Sequence, residues 1–526
     1  MKKYIIIFLS FLLVMTSCLK DNTVTERGDV ELPVLDNPDQ ELSMLATRKL
    51  YKLKVGDVLS IDANITYSNP DALSYRWVID GKTIPEDKVN GTYRNHLKWT
   101  CDIDHNASAA LYVTMTTHKS GKPIDTIFRF YIEIDHPYEK GIMIAMDKDG
   151  KIVYNFLQHI LAKPFVEHAN AYVSDMSSDS WLKLEEFWSN EASNVIGHRF
   201  HLDKDPLKCH TIETGLKLDS KISLEQEFMT MPADLEISDI SFAGYVGYIL
   251  DKEHQVYARK SQKGYYTGRY SAQPLRYENE VLHISKFSDG SYKLGILIAY
   301  DMDNERFLTI NTAYNDQTNR KAGMISEIPE GVDLNKFKGE DIIYMRLISA
   351  DFWGDPTFFI ISRNKLSGNY SASEYEISVG DGVIFSAKEK YYKSPLSNFG
   401  DNTKYLVLDS PSYGMGYIYY TDNADARILR YAKRSSTGVD GYGEYAKFSA
   451  EIVSLDQSKI GRRAKLFTAG FNDRSVKVFD LTYSMDKFTP PSVEDPEQNN
   501  SLLHEWKDLS GDVLQVNYCY GNVAEY

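Results

Sequence analysis

The sequence is short of cysteine, of catalytic signatures and, beyond its first eighteen residues, of long apolar runs. Four cysteines in 526 residues, with no Cys-x-x-Cys and no Cys/His zinc spacing, exclude a disulfide scaffold and a zinc module. The twelve histidines include no His-Glu-x-x-His, and there is neither Gly-x-Ser-x-Gly nor a Ser-x-x-Lys opening a helical pattern. Basic residues are also scarce. Lys plus Arg number 59 against 74 Asp plus Glu, a net charge of −15, which argues against nucleic acid because phosphate binding needs a concentrated basic face. Hydrophobic residues at 43% and charged residues at 25% are the balance of a folded chain. What is abundant is tyrosine, with 37 Tyr beside 23 Phe and 6 Trp. Aromatic side chains suit half-buried strands, so the composition leans to β structure.

The N-terminus carries the most specific signal. Lys2 and Lys3 precede an apolar run of twelve, Tyr4–Met15, too short for the ~30 Å hydrocarbon core of a bilayer. The run ends in Val14-Met15-Thr16-Ser17-Cys18. Small residues directly before a cysteine resemble the lipobox of bacterial lipoproteins, in which that cysteine is acylated and becomes the first residue. The resemblance implies a signal peptide over 1–17 and lipidation of Cys18. Two or three acyl chains anchor stably where one does not. The acidic mature chain offers no polybasic membrane clamp, so the lipid is the expected membrane contact. Leu19-Lys20-Asp21-Asn22 is similar to the Lys-acidic signals that send Bacteroidetes lipoproteins to the cell surface. Of the other cysteines, Cys101, Cys209 and Cys519, at most two can pair, and three buried thiols are expected.

Residues 18–45 are polar, carry Pro33 and Pro38, and read as a tether. Residues 46–136 read as strands. Leu59–Tyr67 alternates strictly, Ser74–Lys82 closes on Asp80-Gly81, a hairpin turn signal, and Ala110–Thr117 and Phe128–Ile134 alternate again. The stretch Tyr75-Arg76-Trp77-Val78-Ile79-Asp80-Gly81 resembles the strand signature of PKD-type Ig-like domains, which implies a sandwich with Trp77 in its core. The antibody-type disulfide is absent, since Ala63 stands where its cysteine would be.

From residue 137 to 526 the chain repeats a hairpin: apolar strand, acidic turn, apolar strand. The units are Gly141–Tyr154, Gly247–Arg259, Gly295–Leu308, Tyr417–Leu429 and Leu466–Phe479. The first apolar residues after each turn are Ile152, Val256, Phe307, Ile428 and Val476, separated by 104, 51, 121 and 48. Two gaps are single steps and two are double, with missing units expected within Phe358–Ser378 and near residue 204. A period of about 50 matches β-propeller repeats, and the length accommodates seven blades, with six or eight as alternatives. The fold class is therefore all-β, an Ig-like module followed by a propeller. Ile160–Phe187 fits the repeat poorly, and a helical insertion is expected there.

The residues with chemical potential are few. Asp147-Lys148-Asp149-Gly150 and Asp301-Met302-Asp303-Asn304-Glu305 invite calcium but lack a complete loop pattern, and turn chemistry explains them better. His198, His201, Cys209 and His210 could be imagined as a metal cluster, but on strand and loop their spacing does not favour one. No metal, cofactor or catalytic residue is assigned. Paired carboxylates for glycoside hydrolysis need no sequence motif, so a propeller glycosidase or peptidase stays as the alternative. Aromatic, glycine-rich loops are the better lead, because exposed rings offer a flat apolar face with a polar tip to sugars or extended peptide. Trp353 is the first candidate, followed by Tyr265, Tyr266, Tyr413 and Tyr442. Asp125-Thr126-Ile127 resembles a Bacteroidetes O-glycosylation site.

Lipobox, one PKD-like module and a degenerate 50-residue repeat together resemble the PKD-like lipoproteins of Bacteroidetes nutrient-uptake loci. Such loci pair a TonB-dependent transporter of the SusC type with a SusD-type lipoprotein. The resemblance implies a non-enzymatic outer-membrane accessory that binds glycan or oligopeptide or scaffolds the transporter, and it transfers no ligand residue.

Overall fold

The structure is a computed structural model that describes residues 31–35, 50–84, 95–103, 107–116 and 123–134. From 137 to 523 it describes all but short stretches, the longest being 261–267, 313–322, 329–336, 349–356, 410–415, 458–465 and 481–501. The chain divides into two compact units, residues 1–136 and 137–526. Strands dominate both. Helix among the described residues amounts to a 3-10 turn, Pro70–Ala72, and one α-turn, Leu224–Glu227. No described helix is long and apolar enough to cross a membrane.

In the first unit a five-stranded sheet runs in the order Leu50–Leu53, Pro123–Ile134, Ala107–Thr116, Leu73–Ile79, Lys82–Thr83, its first pair parallel and the rest antiparallel. Asp80 and Gly81 turn the last hairpin with φ of 50° and 73°, the left-handed pair that an Asp-Gly turn supplies at low cost. Trp77 is fully buried and packs on Phe130, ring centroids 5.6 Å apart. A second ladder pairs Val58–Asp62 with His96–Thr100, burying Leu59, Ile61, Leu97 and Trp99 on alternate positions. Val34–Leu35, within the expected tether, pairs with Ile65–Thr66. Ala63 is fully buried, and Thr126 lies within a paired strand opposite Val113.

Besides a two-stranded ribbon, Arg276–Tyr277 with Glu280–Val281, the second unit holds seven successive antiparallel sheets of three to five strands among the described residues. We number them 1 to 7 along the chain. The repeated hairpin supplies the second and third strands of its sheet every time, for example Gly141–Lys148 and Lys151–Gln158 in sheet 1 and Ile296–Asp301 and Arg306–Asn311 in sheet 4. The two missing units are present: Thr357–Asn364 with Tyr370–Gly380 in sheet 5, and Asn194–Asp203 with His210–Glu213 in sheet 2. The expected helical insertion is not. Val166–Ser177 is an edge strand of sheet 1 and Trp181–Glu191 opens sheet 2, because large apolar side chains at 181, 182 and 184 pack on both faces of a strand between neighbouring sheets.

Apolar clusters fill every junction between consecutive sheets. Phe200, Ile240 and Tyr270 lie between sheets 2 and 3, and Phe307, Leu347 and Phe358 between 4 and 5. The last junction returns to the start, where Ile142, Ile144 and Val153 of sheet 1 pack with Val476 and Val478 of sheet 7. The ring is also closed by hydrogen bonds, since the C-terminal strand Asp512–Cys519 pairs with Gly141–Lys148 as the first strand of sheet 1. Sheets closed head to tail in this way form a β-propeller, whose ring leaves no sheet-to-sheet face uncovered.

Tyrosine accounts for much of the packing. Tyr248, Tyr270, Tyr300, Tyr375, Tyr417, Tyr419 and Tyr445 are all nearly or fully buried between sheets. A tapering sheet junction needs wide, flat side chains, and Tyr419 stacks on Phe467 while meeting Tyr445 edge-on.

Candidate ligand-binding site

Four of the five expected aromatic contacts, Trp353, Tyr265, Tyr266 and Tyr413, lie outside the described residues, as does Cys18. Tyr442 lies not in a loop but in the outer strand Gly438–Lys447 of sheet 6. Its ring is 39% exposed and its hydroxyl donates to the carbonyl of Pro395, which ties it across to sheet 5. Its loop neighbours in sequence, Tyr417, Tyr419, Tyr420 and Tyr445, are buried strand residues. Gly443, expected in a loop, instead permits close packing of this strand: a Cβ there would sit 2.6 Å from the Tyr431 ring.

The acidic turns serve the hairpins. Asp147 accepts the Gly150 N–H at 2.9 Å and the Ser178 hydroxyl at 2.7 Å, while Asp301 holds Asn304 and the Arg306 guanidinium, each at 2.9 Å. The His/Cys group is a neutral hydrogen-bonded core between sheets 1 and 2. Trp181 donates to the Tyr154 hydroxyl, 3.2 Å, so that hydroxyl donates onward to His201 Nδ1, 2.7 Å. His210 donates from Nδ1 to the Lys208 carbonyl, 2.8 Å, and accepts from Tyr172 at Nε2, 3.1 Å. The two imidazoles stack at 4.8 Å. Burial lowers His201 to about 3, with His210 adding to the effect, and it lowers His210 too. Burial pushes the Cys209 thiol up to about 12, and the thiol donates to the Asp203 carbonyl. These polar atoms are spent on protein partners except His201 Nε2, which is buried without a hydrogen-bond partner. Cys101, Cys209 and Cys519 are buried free thiols.

The site that the sheets build lies on the ring axis. The first strands of neighbouring sheets touch one another, as Trp181–Glu191 does with Asp512–Cys519 and with Ile237–Ala243, which places them innermost. Six of these seven strands carry a one-residue register shift near their start. Such a bulge tightens the local twist and re-aims the residue after it. The residues just past the shift are Lys183, Asp239, Lys286, Tyr344, Ser454 and Gln515. Sheet 6 has no shift, but Thr403-Lys404-Tyr405-Leu406 repeats the burial alternation and places Tyr405 correspondingly.

Most of these side chains bond to a neighbouring strand or to one another around the axis. The Gln515 side chain both accepts from and donates to the Leu184 backbone, at 2.7 and 3.0 Å. Lys183 pairs with Asp239 at 2.7 Å and Glu185 at 2.8 Å. Tyr344 meets Tyr405 edge-on, centroids 5.4 Å apart, and donates to Asp289 at 2.6 Å. Ser454 accepts the Val516 N–H at 3.1 Å. Lys183, Glu185 and Asp239 are each about 30% exposed, yet protein surrounds Lys183 and Asp239 closely enough that their charges behave as buried ones. Burial opposes the Lys183 ammonium, but Asp239 and Glu185 outweigh it and raise the lysine. Burial likewise opposes the Asp239 carboxylate, while Lys183 and Lys286 hold it below the usual carboxylate range. The axis is thus lined by fixed charges and half-buried aromatic rings.

Sequence reasoning missed this belt, although a signal was present. Trp181-Leu-Lys-Leu, Ile237-Ser-Asp-Ile, Ile284-Ser-Lys-Phe, Ile342-Ile-Tyr-Met, Ile452-Val-Ser-Leu and Val513-Leu-Gln-Val share one pattern: apolar, skipped residue, axial residue, apolar. The repeat was sought in the hairpin and not one strand earlier.

Compared with known proteins, the chain matches no protein-family model. No curated protein matches it either. Solved structures similar to it include the N-terminal domain of Nup159, at 9% identity and TM-score 0.33, covering 64% of this chain and 85% of that one. Sqt1 from Chaetomium thermophilum is 11% identical with a TM-score of 0.31 over 71% of this chain and 86% of its own. The Dos1 propeller is 12% identical with a TM-score of 0.30 over 65% and 92%. No ligand, partner or activity passes from these proteins to this one.

Proposed function

We propose that the protein is an outer-membrane lipoprotein facing the cell exterior, held by acyl chains on Cys18. In this reading an Ig-like module carries a seven-bladed propeller, which acts as a non-enzymatic binding or scaffold component of a SusC/SusD-type complex taking up glycan or oligopeptide. The observation that carries the reading is the register of the N-terminus, where a charged start, twelve apolar residues, Thr16-Ser17 and Cys18 follow in lipobox order. Two features of the folded part support it. The ring is closed by the chain's own C-terminal strand, a rigid frame that suits presentation of loops and an axis to a partner. The axial acid Asp239 is held charged by Lys183 and Lys286, which fits it to accept hydrogen bonds from a bound ligand.

The test is a detergent pull-down on a tagged copy from its own host. Co-purification of a TonB-dependent transporter with a SusD-type lipoprotein is expected. Clean recovery of the chain without either one removes the uptake-complex reading.

A further inference from the structure

Around the axis most charged groups are spent on one another, but not all. Lys183 gives its ammonium to Glu185 Oε2, Asp239 Oδ1 and the Ile240 carbonyl, the last at 3.5 Å. Glu185 Oε1 and Asp239 Oδ2 then keep their lone pairs without a hydrogen-bond partner among the described residues. Lys286, on the next sheet, acts on Asp239 only through space, and its ammonium has neither hydrogen bond nor ion pair among the described residues. Two open acceptors and one open donor therefore face the axis from three consecutive sheets. On the following two sheets stand Tyr344 and Tyr405, partly buried and locked edge to face.

The charges decide what can fill this place. Lys183 and Lys286 balance Glu185 and Asp239, so the four sum to zero. An anionic ligand would leave one excess negative charge beside these groups, and a cationic one an excess positive charge, each costly where protein surrounds the charges closely. Hydroxyl groups donate and accept at once, so two neighbouring ones can donate to Asp239 Oδ2 and Glu185 Oε1, one each, while one of them accepts from Lys286, without changing the balance. The C–H face of a pyranose ring suits a tyrosine face. We propose that the axial belt is a binding site for the end of a neutral oligosaccharide, oriented by Asp239, Glu185 and Lys286 and stacked on Tyr344 or Tyr405. This names the ligand for the binding reading and rests on it, but it needs no transporter.

The experiment is isothermal titration of the full-length protein in detergent with malto-, manno- and xylo-hexaose. Hexagalacturonate and hexa-alanine serve as acidic and peptide arms. At least one neutral hexaose is expected to bind with a Kd below about 1 mM. Lys286→Met, which keeps the apolar stem and removes the donors, is expected to weaken binding at least tenfold with an unchanged melting temperature. Tyr344→Ala is expected to weaken it while Tyr344→Phe largely preserves it. No heat from any neutral hexaose, binding of the acidic or peptide arm alone, or unaltered affinity in folded Lys286→Met overturns the site. Sugar binding without a co-purifying transporter would remove the uptake complex and leave the site standing.

Discussion

Ring closure can be tested at one glycine. Gly470 lies in the second strand of sheet 7, and a Cβ there would stand 2.7 Å from Val513 Cγ1 and 3.2 Å from Val516 Cγ1, both on the C-terminal closing strand. Ordinary contact begins near 3.4 Å. Gly470→Ala therefore overpacks the junction, at a cost of about 1–3 kcal/mol. Val513→Ala removes two methyl groups from a residue only 4% exposed, about 1.5–3 kcal/mol with the cavity it leaves. Combined, the new methyl enters the vacated space. The double variant should be more stable than the sum of the single losses predicts, by about 1–2 kcal/mol. The assay is urea unfolding of the four proteins, read as the propeller transition. Additivity within about 0.5 kcal/mol would mean that residues 470 and 513 do not face each other, and the closed ring would be wrong.

Three further outcomes follow from buried groups. His201 and His210 are held neutral, so the unfolded chain binds more protons below its histidine pKa of about 6.5. Stability is then complete above that value and falls as pH drops towards about 3, with His201 alone costing about 2 kcal/mol between pH 7 and 5. Urea midpoints at the two pH values measure this, and a His201→Phe variant that keeps the full pH dependence would contradict it. Arg434 forms a buried double contact with Glu374 at 2.8 and 3.1 Å, so Arg434→Met strands a buried carboxylate and should cost about 3–5 kcal/mol. Adding Glu374→Gln should recover much of that loss in thermal unfolding, and no recovery would show that the pair is not the cause. Trp77→Ala should destabilise the first unit by about 3–5 kcal/mol and leave the propeller transition in place, which limited proteolysis of the two units distinguishes.

The propeller was legible because its hairpin repeats a pattern that physics makes local. An apolar strand, a left-handed turn and a second apolar strand leave the same trace at Asp149-Gly150 as at Glu305 and Arg474, all with positive φ. Two repeats showed in the sequence only as double gaps in the spacing, for local reasons. Sheet 2 turns through Asp203–Lys208 around a buried Cys209, and sheet 5 turns through a polar Asn364–Asn369, so neither shows an acidic turn between uniform apolar runs. Closure by Asp512–Cys519 pairs residues more than 350 positions apart and leaves no periodic mark. The stretch Gly438–Tyr445 is a strand and not a loop, because glycine beside tyrosine has two causes, an exposed loop or a tight strand packing, and Gly443 against Tyr431 is the second. The axial belt escaped because each member is a lone polar residue among apolar ones. Only the bulge before it, common to Ser238, Ser285 and Ile343, makes the set coherent.

The claim on which the functional account turns is the lipid at Cys18, and mass spectrometry of the N-terminal peptide from membrane-extracted protein tests it directly. The account predicts a chain that begins at residue 18, carrying a diacylglyceryl thioether and an N-acyl group, with none of Met1–Ser17 attached. An unmodified Cys18 peptide, or one still joined to Lys2 and Lys3, would contradict it.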